Sequence, residues 1–309
     1  MGGKKWRGER GPVHVIAWSV RGDVLFQFWV EGLWLLRIVC RRVRVLAVTI
    51  MPTHVHVVLA DRRDVGELGR ALGAWARLRN NLRGSGGPAW RRARFVEEIL
   101  DEDHLETVLV YVHRNPVPEG LVGDPLAWPL STYRDALGLT LRPLVPPLQD
   151  PLQHHALVSS GRKVVDGIVS DGTPFPAGVR GEVRFRDVVA ATCAASGRLP
   201  GELRQPGPVR DLLVQVARTR TDAPLARVAE WLRLHPAQLS RALRRPRPRD
   251  EIRRVERLLG DPRFGLLAER QDLSRLDTWA RYRHRTRPLP PPGPVGRQAR
   301  RRILGTDLD

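Results

Sequence analysis

His54 and His56 stand one valine apart in TIMPTHVHVVLA (49–60), and in an extended chain residues two apart project to the same side. Two imidazoles so placed can reach one divalent ion, or they can be plain histidines of a half-buried strand, satisfied by neighbours or water. A third oxygen or nitrogen ligand, with a nucleophile that gains from a metal at neutral pH, would favour the first reading. The segment VLVYVHRNP (108–116) offers both, since Tyr111 and Asn115 are four apart and share a helix face. The Asn115 amide oxygen is a competent hard ligand for Mg²⁺ or Mn²⁺. A tyrosine is a poor nucleophile at its free pKa of about 10, but a cation on the electrophile lowers the barrier it must cross.

The elements that must position these residues are legible in outline. VHVIAWSV (13–20), VRVLAVTI (43–50) and HVHVVLA (54–60) read as strands, the last two paired as an antiparallel hairpin through MPT, and RFVEEIL (94–100) as a fourth. Helical spacing predicts helices over 30–42 and 64–83, the second stopping at GSGGP. Leu105, Val108, Leu109 and Val112 fall at i, i+3, i+4, i+7, so a third helix runs from a capping-box-like start at Asp103 and Glu106 to Pro116. Tyr111 lies beside that apolar stripe, whereas Pro116 biases Asn115 away from helical backbone. The order β-α-β-β-α-β-α predicts an α+β domain over 12–139, an antiparallel four-stranded sheet with helices on one face.

Charge indicates the partner. With 52 Lys+Arg against 33 Asp+Glu the formal charge is +19, which suits nucleic acid or an acidic membrane surface, although an Arg-, Ala-, Gly- and Pro-rich chain is also what a GC-rich genome encodes. The basic, aromatic-flanked WRRARF (90–95) could track a DNA backbone through Arg91, Arg92 and Arg94, or be a solvated turn. Cys40 and Cys193 can build neither a disulfide framework nor a four-thiolate zinc site, and the most apolar segment, 24–40, is broken by Gln27, Glu31 and Arg37. The expectation is a cytoplasmic, bacterial protein with no membrane partner. His14, His104 and His113 could be recruited to the site, but each is expected to serve packing or the surface.

Residues 1–11 form a basic lead-in, 140–160 a Pro-rich connector, 161–275 a helical region and 276–309 an Arg/Pro-rich tail, with eight arginines and no acid over 281–303. APLARVAEWLRLHPAQLSRALRR (223–245) has helix-turn-helix spacing, with Arg233 where many such turns hold glycine. Its second helix would offer Gln238, Ser240, Arg241 and Arg244 to DNA, or be half of an ordinary helical hairpin.

MPTHVHVVL, VLVYVHRNPVPEGLV and WPLSTYRDALG together resemble the single-tyrosine HUH transposases, above all the REP-associated tyrosine transposases among the insertion-sequence enzymes, over residues 12–139. The segment 223–245 resembles the helix-turn-helix of replication-initiator DNA-binding domains. The first resemblance implies a ferredoxin-like HUH nuclease fold, with His54, His56 and Asn115 holding a divalent metal (Mg²⁺ or Mn²⁺) and Tyr111 as the nucleophile. It further implies that single-stranded or hairpin DNA is cleaved and rejoined through a 5′-phosphotyrosine by a monomer or homodimer. Thr53 departs from the usual asparagine before the first histidine. Alternatives are a domesticated non-catalytic DNA-binding regulator and a rolling-circle replication initiator or relaxase; no GxxxxGK[ST] phosphate loop supports the latter.

Overall fold

The computed structural model describes residues 11–84, 87, 89–92, 94–159 and 181–265. The basic lead-in up to residue 10, residues 160–180 of the connector and helical region, and the Arg/Pro-rich tail lie outside the described residues. Strands β1 (Val13–Trp18), β2 (Val45–Ile50), β3 (His54–Leu59) and β4 (Phe95–Glu98) form one antiparallel sheet in the order β2-β3-β1-β4. The expected hairpin is β2–β3, and β1 runs between β3 and the short edge strand β4.

The β-branched alternation decides what each face carries. Val13, Val15 and Ala17 of β1 and Val55, Val57 and Leu59 of β3 enter one core with Leu33, Leu36 and Val39 of α1 (Trp29–Arg42) and Leu68, Leu72 and Trp75 of α2 (Val65–Arg83). A bulge between Val45 and Ala47 lets Val45, Val48 and Ile50 of β2 all join that face. Gly84, left-handed at φ 58°, closes α2, where the glycine-rich stop was expected. Buried Glu31 of α1 accepts both Nε and Nη2 of Arg83, and the Trp75 indole donates to the Glu31 carbonyl, so a polar clasp fixes the two helices to each other.

The opposite face, which a one-faced arrangement leaves open, carries α3 (Glu102–Arg114): Val108, Leu109 and Val112 pack on Ala47, Val58 and Ile99. The reason is the mixed parity of β3, where His54, His56 and Val58 share a side that is polar at one end and apolar at the other. The cap of α3 is Asp101, whose carboxylate accepts from His104 N, two residues before the expected start at Asp103.

Beyond a single turn α4 (Tyr133–Ala136), residues 151–159 of the stretch read as a connector form α5 (Pro151–Ser159), which packs on α3. Asp150 caps it through Gln153 N, with Pro151 in the first position where its missing N–H costs nothing. His154 Nε2 and His113 Nδ1 are 2.9 Å apart, and Tyr133 Oη meets His155 Nδ1 at 2.7 Å. Helices α6 (Phe185–Ser196), α7 (Pro208–Arg220), α8 (Leu225–Leu232), α9 (Pro236–Arg244) and α10 (Arg249–Leu258) make a second core that also takes in Val110, Leu126, Tyr133 and Leu137. Arg37 of α1 crosses to this region and forks the Glu202 carboxylate at 2.8 and 2.9 Å. No helix among the described residues is long and apolar enough to cross a membrane.

The α3–α5 contact has a pH consequence. Burial lowers the His113 pKa well below 6.5 and that of His154 to about 4. Native rings that stay neutral forgo protons the unfolded chain accepts below pH about 6.5, so stability falls as pH drops from there toward about 4. His154 alone accounts for roughly 2 kcal/mol at pH about 5. Asp135, lifted to about 6 by burial, acts with the opposite sign, so the discriminating measurement is a difference. Melting curves between pH about 7 and about 5 should fall less steeply for His154→Gln than for the wild-type chain.

Candidate active site on the α3 face of the sheet

His54 and His56 project from β3 toward α3, and their rings stand 4.8 Å apart, edge to face. His56 is buried and His54 half-buried, so the pair forms a floor and a rim. Burial holds both in the neutral form, His54 at about 4 and His56 well below the usual range, which leaves lone pairs free to ligate. Thr53 Oγ1 lies 3.2 Å from His54 Nδ1, so the residue just before the first histidine touches it directly.

The helix brings its two residues to the same place. The Tyr111 ring stands 5.4 Å from the His56 ring, nearly perpendicular to it. Asn115 keeps helical backbone at φ −46°, ψ −38°, so the bias from Pro116 is overridden by the packed helix and the i+4 relation to Tyr111 survives. Asn115 Nδ2 donates to His56 Nε2 at 3.2 Å, while its Oδ1 is buried without a hydrogen-bond partner. Burial raises the Tyr111 pKa, Asn115 works against that rise, and Glu119 and Glu97 add to it, so the phenol is protonated at neutral pH.

Two residues not singled out for the site join it. His14 of β1, expected to serve packing, places Nε2 3.1 Å from His56 Nδ1 and stacks on that ring. Glu97 of β4 sets a carboxylate oxygen 3.7 Å from His14 Nδ1. Even parity in β1 was the available signal, but it tells only that His14 shares a face with Ile16, and the register Ile16↔His56 is what brings it across. His104 lies on the far side of Glu97, 3.9 Å away, and His113 turns to α5 instead.

A hard divalent ion suits this donor set. Two neutral imidazoles supply nitrogen, and a half-turn of the Asn115 amide would direct its unpartnered oxygen to where the amide nitrogen now meets His56 Nε2. Among the described residues, no group of three or more His, Cys, Asp or Glu side chains forms a metal site, so any third protein ligand has to come from another residue type.

The basic residues divide. Arg91 and Arg92 are exposed, and Arg91 Nε donates to Ser19 O, one residue past Trp18, the β1 partner of His54. Arg94 turns the other way, its guanidinium against Gly69 of α2 on the far face of the sheet. The α8–α9 unit is two helices joined by a tight turn, with Arg233 left-handed at φ 55°, the conformation glycine would favour. Gln238, Ser240, Arg241 and Arg244 are all exposed on α9, remote in sequence from the histidines. A cavity of about 480 Å³ among the described residues contains none of the histidines; it lies between α1 and the C-terminal helices and is edged by Arg41, Arg142 and Arg198.

Among solved structures the chain is similar to a REP-associated tyrosine transposase bound to a REP hairpin, at 18% identity and a TM-score of 0.35, over 54% of this chain and 99% of that one. No family model matches the sequence, and no curated protein does. A likeness at that level assigns no role to any residue.

Proposed function

We propose that the chain is a metal-dependent single-strand DNA transesterase of the transposase type. The observation that carries this reading is the meeting of Tyr111, His54, His56 and Asn115 on one face, with the buried amide oxygen of Asn115 left unpartnered.

His54 and His56, held neutral, and the Asn115 oxygen would hold Mg²⁺ or Mn²⁺. When bound, the ion supplies positive charge at a non-bridging phosphate oxygen and so offsets the charge of the transition state. Tyr111, whose ring stands 5.4 Å from that of His56, would attack phosphorus through Oη. A tyrosyl oxygen–phosphorus bond forms, the bond to the 3′-oxygen breaks, and the phenolic proton ends on the released 3′-hydroxyl. The product is a 5′-phosphotyrosine that conserves the phosphodiester, so the same site can rejoin strands with no nucleotide cofactor. Asn115 orients the phenol and, by its effect on the Tyr111 pKa, eases loss of the proton.

Arg91 and Arg92, exposed at the His54 end of the sheet, would meet the strand's phosphates, and exposed α9 would offer a second DNA contact through Gln238, Ser240, Arg241 and Arg244. The test is a covalent protein–DNA adduct that requires Mn²⁺ or Mg²⁺ and is lost in Tyr111→Phe.

A further inference from the structure

We propose that Glu97 and His14 act as positioning residues that fix the tautomer of His56, holding its proton on Nδ1 so that Nε2 is presented bare to the divalent ion. The inference rests on the metal-binding reading above and adds the residues behind the ligand.

The argument begins at the carboxylate. A carboxylate oxygen only accepts, so Glu97 Oε2, 3.7 Å from His14 Nδ1, favours a His14 ring protonated at Nδ1 and within reach of a hydrogen bond on a small side-chain rotation. A neutral ring with Nδ1–H has a bare Nε2, and that atom stands 3.1 Å from His56 Nδ1. Opposite such a ring His56 donates from Nδ1, which leaves its own Nε2 without a proton. The other side of the ring agrees, because Nε2 accepts from the Asn115 amide nitrogen.

The ring planes are locked as well. His14 is stacked 5.3 Å from His56 and meets Phe95 and Tyr111 edge-on at 6.5 and 6.0 Å, so neither imidazole can turn without disturbing its neighbours. On the adjacent ligand Thr53 Oγ1 engages Nδ1 of His54, so both imidazoles are tethered through Nδ1.

A purely structural role leaves Glu97 unexplained. Its Oε2 is buried with no hydrogen-bond partner, and an unsatisfied carboxylate oxygen is costly where glutamine or leucine would fill the space. A carboxylate behind an imidazole that ligates a metal fixes ring orientation and raises ligand basicity, and losing such a partner weakens metal affinity by about 10–100-fold. Here the carboxylate acts through a second imidazole.

The test uses the full-length chain and two readouts. In the metal-free wild-type protein, long-range ¹H–¹⁵N correlation spectra should show His56 protonated on Nδ1. Glu97→Leu should mix the tautomers and weaken Mn²⁺ binding, measured by electron paramagnetic resonance, by about 10–100-fold. Glu97→Gln, which keeps an acceptor and guards against a folding defect in the leucine variant, should lose less. A wild-type His56 proton on Nε2, or an unchanged tautomer and Mn²⁺ affinity in Glu97→Leu, would overturn the relay. Failure of wild-type protein to bind Mn²⁺ would instead overturn the metal reading, since the tautomer is judged without metal.

Discussion

Replacing both His54 and His56 by alanine should reduce Mn²⁺-dependent cleavage of single-stranded DNA by about a thousandfold or more, while salt-sensitive binding of the same DNA stays largely intact. A metal ion at the phosphate contributes several kcal/mol of charge stabilisation, and each 1.4 kcal/mol is about a factor of ten in rate. Binding should survive because the arginines proposed to meet DNA, Arg91, Arg92 and those of exposed α9, are left in place. His56 is buried and bonded to His14 and Asn115, so its loss also strips two buried partners at about 1–3 kcal/mol each. The half-buried His54 permits a cleaner single variant: His54→Ala should lose Mn²⁺ affinity and cleavage with a smaller drop in melting temperature than His56→Ala. Cleavage assays, filter binding at two salt concentrations and circular-dichroism melts separate the three quantities.

Arg263→Ala should destabilise the whole chain by about 3–5 kcal/mol. Asp124, in the loop between α3 and α4, is fully buried, and its carboxylate is held by Arg263 Nη1 at 3.1 Å and by Leu126 N at 2.7 Å. Arg263 itself is 7% exposed, also pairs with Asp261, and accepts through its carbonyl from Arg134, whose guanidinium lies 4.9 Å from the Phe264 ring. Removing the guanidinium leaves a buried carboxylate short of its charge partner at the point where the end of the helical region meets the sheet domain. Denaturant titration followed by circular dichroism should show a lower midpoint. Arg263→Met combined with Asp124→Leu, which removes both charges, should recover much of the loss.

The elements around the site were legible because their signals are local. The period-two alternation in HVHVVL placed His54 and His56 on one face without any knowledge of the sheet, and the apolar stripe 105–112 gave α3 and, through it, the Tyr111–Asn115 spacing. What sequence could not supply was anything that depends on cross-strand register. His14 and His56 are 42 residues apart, and Glu97 reaches His14 only because β1 pairs with β3 on one side and β4 on the other. The helices on both faces were hidden for a related reason: the α3-facing side of β3 carries two histidines, which read as a half-buried face until the helix is placed over it. Arg94 shows the same limit at smaller scale: it is only two residues past Arg92, yet its guanidinium lies against Gly69 on the far face. At Asp150–Pro151 a local signal was present, a helix cap followed by a first-turn proline, within a composition that reads as a connector.

The central claim, that Tyr111 is the nucleophile, is tested most directly by locating the covalent bond. A hairpin with a single-stranded flank, labelled at its 3′ end so that the fragment bearing the 5′-phosphate carries the label, is incubated with the full-length chain and Mn²⁺, then resolved on a denaturing gel and digested for peptide mass mapping. The account predicts a labelled protein band, a nucleotide phosphate attached to Tyr111, and no such band for Tyr111→Phe. Tyr133 cannot substitute, being fully buried with its hydroxyl 2.7 Å from His155 Nδ1. An adduct that persists in Tyr111→Phe, or one that maps to another residue, would contradict the account.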